Sequence, residues 1–328
     1  MAVLTPSTTD GPSEGAQAKP APGRADPGRA ARRRGWSNRR RLAIAGWLFA
    51  LPFTALFVAF LAGPILLSLA LSFTDLRSAD VRDPLAVDVV GLDNYAKLLE
   101  DAAFRQAAVN TLIFVGLGVP MTMATGLAAA IGLNSGLVRF RTAFRVGYYL
   151  PVVTSIVAIA VIWRSLLEPG TGLINSLLAA VGIAGPNWLQ HPTLALPALI
   201  IMATWRNLGF LMVIFLAGLQ AVPKDLHEAA MLDGAGAWAR FRNVTIPILR
   251  PTLLFGAVVT GIGYLQVFEE PFVMTQGEPL GNTMTVSYHI FNQFGFGNYG
   301  YASAMGYVLF VAVVLLSVLQ FRLLRPKT

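Results

Sequence analysis

Cysteine is absent from this 328-residue chain, lysine occurs four times and histidine three, and only 13% of the residues are charged. Without cysteine there is no disulfide framework, no thiolate metal site and no cysteine nucleophile, and the compartment stays open. None of the lysines (Lys19, Lys97, Lys224, Lys327) follows a glycine, so the Gly-x-x-x-x-Gly-Lys phosphate loop is missing. His191, His227 and His289 are scattered, with no Glu-flanked pair at four-residue spacing, which argues against zinc. The Gly-x-Ser-x-Gly match from Gly11 to Gly15 falls in a polar stretch, not on a strand-to-helix turn. The expectation is a chain with no catalytic residue, no metal ligand and no cofactor of its own, and so not an enzyme.

What the sequence has instead is apolar length. Hydrophobic residues make up 55% of it, and a soluble domain carries about 25% charged residues, well above this chain. A helix crossing the hydrocarbon needs roughly 20 largely apolar residues, and runs at about 42–73, 107–133, 146–166, 194–219, 251–274 and 302–324 meet that length. The expected fold is all-α, with six transmembrane helices. Residues 1–41 read as a separate, disordered basic tail, rich in Pro, Gly, Ala and Ser and ending in two arginine triplets. Residues 42–328 form the membrane domain.

The net charge of +8 is not spread as on a nucleic-acid-binding surface. With the N-terminus inside, 19 of the 25 Lys and Arg fall on inner segments and four on outer loops. Residues 75–105, on the outer side, carry seven acidic groups. The positive-inside bias therefore predicts both termini in the cytoplasm.

Between the fourth and fifth spans, residues 223–247 read as more than a connection. Pro223 suits the first turn of a helix, where its missing N–H costs nothing. Asp225 and Glu228 sit against the positive end of the helix dipole, and Gly234 and Gly236 can end the helix in left-handed geometry. Trp238, Phe241 and Val244 then share one face of a second short helix, and Pro247 and Pro251 punctuate the start of the next span. The pattern predicts a helix–turn–helix on the inner face.

Glu228-Ala229-Ala230, with Gly234 four residues beyond and Ile246-Pro247 after it, resembles the EAA loop of ABC importer permeases. Leu216–Gln220, Asp233-Gly234-Ala235 and Phe241 are similar to the carbohydrate-uptake branch of that family, the maltose and glycerol-phosphate permeases. So are Gly91–Tyr95, Asn110-Thr111, Leu150-Pro151, Ile162–Arg164, Gly172–Asn175, Trp205–Phe210 and Gly300–Ala304. Thr275–Pro279 departs from the pattern, since relatives usually show a more glycine-rich turn there. The resemblance runs from about residue 42 to the C-terminus. It implies a type I importer permease in the bacterial cytoplasmic membrane, with 223–247 as the coupling loop that seats in a partner ATPase. The coupling residues it implies are Glu228, Ala229, Ala230, Asp233, Gly234, Phe241 and Pro247. It further implies three partners: an ABC ATPase dimer that uses ATP and Mg2+, a second permease subunit, normally a homologue, and an extracytoplasmic solute-binding protein. The solute would be a sugar or a related compound.

Polar groups within a membrane are costly and so tend to face a cavity or a partner. The candidates for a solute pathway are Trp205, Arg206 and Asn207 on the fourth span, with Tyr264, Gln266, Glu269 and Glu270 along the fifth; Trp205, Tyr264 and Phe268 offer stacking faces. An ion-coupled secondary transporter is the alternative, and would be expected to show more intramembrane ionisable groups and inverted repeats. An intramembrane serine protease is disfavoured because no Ser–His pair on facing spans is evident, and a channel fits the composition but leaves residues 223–247 unexplained.

Overall fold

The structure, a computed structural model, describes residues 27–82, 87–135 and 139–324. Among them there is no strand, only an isolated bridge between Thr74 and Val89. Among the described residues five helices are long and apolar enough to span a membrane, and a sixth span follows if one bent pair is counted.

The chain divides after Pro64. In the first unit, α1 (Pro27–Phe57) runs into a wide turn of π type at Val58–Ala62. Residues 1–26 of the tail expected to be disordered lie outside the described residues. From Pro27 onward the backbone is helical, and this differs from the expectation for residues 27–41. The reason is compositional, because Pro fits a first helical turn and the Ala and Arg that follow are strong helix formers.

The second unit starts within α2 (Gly63–Leu71), where Arg40–Leu71 is the first candidate span. It continues through α3 (Asp93–Glu100), α4 (Ala102–Asn134), α5 (Arg141–Val153), α6 (Ile156–Leu166), α7 (Leu173–Ala180) and α8 (Ala195–Gln220). There follow α9 (Lys224–Leu232), α10 (Ala237–Arg240), α11 (Ile246–Leu265), α12 (Glu269–Met274), α13 (Val286–Gly295) and α14 (Tyr299–Leu324). The largest packing interface is between α4 and α8, and α11 packs on α4 and α14. Lipid is as apolar as leucine, so close approach through small residues, not hydrophobic burial, holds such helices together. Gly118 of α4 leaves room for the Tyr264 ring, since a Cβ there would lie 2.7 Å from it, and Gly126 does the same for Leu211. Behind the ring, Tyr264 Oη and Thr122 Oγ1 are 2.8 Å apart, and Phe114 meets Tyr264 edge to face at 5.1 Å.

Three expectations are corrected. The third span is not straight, because α5 and α6 meet at 101°. Pro151 removes a donor near the end of α5, and Thr154 is extended, with its hydroxyl donating to the Leu150 carbonyl. The fifth span stops at Leu265, not at Met274; Val267 leaves the helical ladder, its carbonyl accepting from Thr285 Oγ1 at 2.7 Å. Finally, the second short helix of the 223–247 segment is not separate. Ala237–Leu265 is one helix, with a π turn at Phe241–Thr245 in which the Ile246 amide reaches back to the Phe241 carbonyl. The wider turn accommodates Pro247, which has no amide to give to an α ladder.

At the end of the unit holding the start of α4 and of α14, one carboxylate ties several elements together. Asp101 caps α4 through Oδ1, accepting from the Ala103 and Phe104 amides at 2.8 and 3.2 Å. Its Oδ2 accepts from the Tyr301 hydroxyl of α14 at 2.7 Å, and Lys97 of α3 lies 4.9 Å from that ring. His289 of α13 is buried beside it, Nε2 3.8 Å from Oδ2 and without a hydrogen-bond partner among the described residues. Burial holds the His289 imidazole below its ordinary value of 6.5, with the Asp101 charge opposing. For Asp101, burial pushes upward but is outweighed by the Tyr301 hydroxyl, the two amides and His289, so its pKa falls below 3.8.

Both shifts depress a folded-state pKa, so the stability each contributes is lost as pH falls; the His289 share goes first, below about 6.5. Thermal unfolding of the detergent-solubilised protein should therefore fall in temperature between pH 7.5 and 5.5. His289→Gln should flatten that slope. An equal slope in wild type and variant would refute the assignment.

Candidate functional site

The fourth and fifth spans carry most of the residues expected along a solute pathway, and the structure gathers six of the seven around one cavity of about 300 Å³. Arg206 and Asn207 come from α8, Tyr264 from α11, Gln266 from the connection, and Glu269 and Glu270 from the start of α12. Arg206 and Phe210 are four apart on α8, and Thr260 and Tyr264 four apart on α11, so each helix presents one stripe to the space. Ile156, the first residue of α6, closes another side, and it can do so because α5 and α6 bend just before it.

Trp205 is the exception. It is not among the cavity residues; it is 42% exposed and packs on Trp163 of α6, ring centroids 5.7 Å apart. Phe268 likewise sits apart, in an aromatic cluster with Phe272, Tyr288 and Phe291. Thr260 lines the cavity and was not anticipated, although its position one turn before Tyr264 carried the signal.

The polar groups of the cavity are unequally engaged. Tyr264 is 4% exposed and held by Thr122, with Asn207 Nδ2 at 3.5 Å; it forms wall, not a free stacking face. Asn207 Nδ2 donates to the Ala203 carbonyl at 2.9 Å, leaving its Oδ1 side to Arg206 Nη1 at 3.4 Å. Arg206 Nε is buried without a partner among the described residues. Glu270 is 4% exposed, and neither it nor Glu269 pairs with Arg206 within 4 Å, the only such contact among the described residues being His289–Asp101. Burial pushes the Glu270 carboxyl up to about 7; its own backbone amide and Arg206 oppose the shift and Glu269 adds to it. Buried polar groups normally have partners. A cavity with an unsatisfied guanidinium donor and carboxylate acceptors is therefore suited to a ligand that both donates and accepts, as a polyhydroxylated ring does.

The expected coupling residues lie at the opposite end of α8 and α11 from the Glu269–Glu270 turn. Glu228, Ala229 and Ala230 are on α9, and Asp233 caps its C-terminus. Gly234 has φ +79°. Its amide donates to the Met231 carbonyl at 3.0 Å and the Ala235 amide to Ala230 at 2.9 Å, the paired bonds of a Schellman stop. Phe241 packs against Trp238 with the rings tilted and their centroids 5.5 Å apart, and Pro247 follows the π turn. Leu226, Met231, Leu232 and Trp238 are exposed, Leu232 by 90% and Trp238 by 71%. Exposed apolar side chains this close together mark a surface that meets another molecule.

The family described as binding-protein-dependent transport system inner membrane component matches residues 122–328. The lactose transport system permease protein of Rhizobium radiobacter is 37% identical over 297 residues, covering 89% of this chain and 97% of that protein. The arabinooligosaccharides transport system permease protein of Bacillus subtilis is 33% identical over 282 residues, covering 85% of this chain and 88% of that protein. Among solved structures, a bacterial ABC transporter involved in import of the acidic polysaccharide alginate is similar with a TM-score of 0.75. It is 25% identical, over 90% of this chain and 99% of that one. The alginate transporter in complex with its pentasaccharide-bound periplasmic protein gives a TM-score of 0.74.

Proposed function

The chain belongs to the family of binding-protein-dependent transport system inner membrane components, and from that premise we propose that it forms one half of the solute pathway of a sugar importer driven by ATP. An ABC ATPase dimer supplies the energy from ATP and Mg2+. A second, homologous permease subunit completes the pathway, and a solute-binding protein delivers the sugar from outside. The chain resides in the bacterial cytoplasmic membrane with both termini inside, as the lysine and arginine distribution favours. The ion-coupled carrier considered from the sequence finds no support among the relatives.

The observation that carries this reading is the exposed apolar surface on α9 and α10. α9 is joined directly to α8 and, through α10, to α11, the two helices that carry Arg206, Asn207 and Tyr264 to the cavity. Asn207 lies 13 residues from the end of α8, about 20 Å along a rigid helix. A partner that closes on α9 as it binds nucleotide moves both walls of the cavity together, and access alternates between the two faces.

The test is reconstitution. Proteoliposomes holding the chain with its permease partner, ATPase and binding protein should take up radiolabelled lactose, arabinooligosaccharide or maltose only with ATP inside the nucleotide-accessible compartment. Glu228→Arg should abolish uptake and stimulated ATPase activity while the spans still assemble. Uptake by the lone polypeptide would sink the proposal.

A further inference from the structure

Resting on that reading of the cavity, we infer that this chain selects by charge, accepting uncharged sugar rings and rejecting rings that bear a carboxylate or phosphate. The cavity residues include three ionisable groups of opposite sign, Arg206 against Glu269 and Glu270, besides the Tyr264 phenol, and no lysine or histidine. The arginine is not matched one-to-one by contact: no ion pair joins it to either glutamate within 4 Å. An incoming anion therefore meets one guanidinium and two carboxyl groups in a partly enclosed space, where charges act more strongly than in bulk water.

A neutral ring meets the same groups differently. Its hydroxyls accept from the unpartnered Arg206 Nε and donate to the glutamate oxygens, so each group gains a partner and none gains a like charge. The solved importer with a similar fold handles an acidic polysaccharide. At 25% identity the shared fold does not carry the solute's charge with it. What decides is the local balance of side chains, and here acid outnumbers base. Because burial pushes Glu270 up to about 7, the balance also shifts with pH. The groups facing it are Glu269 on α12, Arg206 on α8 and the neutral Tyr264 and Gln266 on and after α11, while α6 contributes only Ile156. Rejection of anions should strengthen as Glu270 ionises.

The test uses the two permease subunits with the ATPase and without the solute-binding protein, in detergent, with direct ligand binding read by saturation-transfer NMR and equilibrium dialysis. Three probes share one skeleton: lactose, lactose oxidised to a carboxylate at the galactose C6, and the methyl ester of that acid. Lactose and the ester should bind alike and the acid at least tenfold more weakly, with the gap wider at pH 8 than at pH 6. Glu269→Gln/Glu270→Gln should narrow the gap to about threefold or less without weakening lactose to the same extent. Equal binding of acid and ester by wild type, or an unchanged gap in the double variant, would overturn the charge filter while leaving the sugar site standing. Failure of all three probes to bind, with maltose and arabinooligosaccharide failing as well, would remove the sugar site itself, and the filter with it.

Discussion

Gly234→Pro should abolish ATP-driven uptake while the spans still insert and the cavity still forms. Gly234 is the residue after the C-cap of α9 and has φ +79°, which proline, fixed near −65°, cannot adopt. Proline also lacks the amide that bonds the Met231 carbonyl, so one of the two bonds of the helix stop is lost outright. The chain then leaves α9 in a different direction, and the exposed apolar residues of α9 and α10 no longer keep their relative positions. A penalty of about 3 kcal/mol on the docking-competent shape corresponds to a loss of roughly 100-fold in the population able to seat in a partner. Gly234→Asn is the informative control, since asparagine tolerates left-handed geometry and keeps its amide. It should retain most uptake. Co-purification of the ATPase, measured beside uptake, separates lost docking from lost folding. Normal uptake by the proline variant would show that α9 is only a connection.

The spans were legible because their apolar runs are long, and the α9 stop was legible because two glycines follow an amphipathic stretch. Where the sequence misled, tertiary bonds decided. Phe268, Phe272, Val273 and Met274 surround Glu269, Glu270 and Pro271, and the apolar residues extended the expected span past the end of α11. The break comes from Thr285, 18 residues on, whose hydroxyl takes the Val267 carbonyl. The bend between α5 and α6 was equally hidden, because proline is tolerated inside membrane helices and Pro151 alone does not announce a 101° turn. Trp205 and Arg206 are adjacent in sequence, but at about 100° per residue Trp205 lies about 200° from Asn207, on the far side of α8 from the stripe that lines the cavity. Several short motifs that had marked the family acquire structural reasons. Asn110 bonds the Gly281 and Met284 carbonyls at 2.8 Å, holding the loop before α13 onto α4. Asn94 bonds the Ser72 and Thr74 carbonyls at 3.0 and 2.8 Å. Asn175 donates to the Pro186 carbonyl at 3.1 Å and receives the Trp188 indole at 2.7 Å. In each case an asparagine satisfies irregular backbone at the edge of the spans, a task that composition and periodicity do not register.

Gly209→Ala should cost more stability than a methyl group added at Gly118 or Gly256, because the obstacle it meets is backbone. A Cβ at Gly209 of α8 would lie on the Tyr148 carbonyl oxygen of α5, 2.6 Å from its carbon and 3.0 Å from Tyr149 Cα. At Gly118 or Gly256 the neighbours are aromatic side chains, which can rotate or shift; at Gly209 a whole helix must move. Overpacking of this kind costs about 1–3 kcal/mol, sometimes more, and valine in place of alanine would exceed it. The displacement would also reach function, since Arg206, Asn207 and Phe210 flank Gly209 on α8 and all three line the cavity. Gly147→Ala supplies the comparison: it adds the same methyl group one residue from Tyr148, with nothing within 4 Å of the new Cβ. That variant should be neutral or slightly stabilising, as alanine is the better helix former by about 1 kcal/mol. Thermal unfolding of the purified protein and uptake by the assembled importer should both fall for Gly209→Ala and hold for Gly147→Ala. If the two variants unfold at the same temperature, α5 and α8 are not in backbone contact and the support α5 gives to the cavity-lining helix α8 is misplaced.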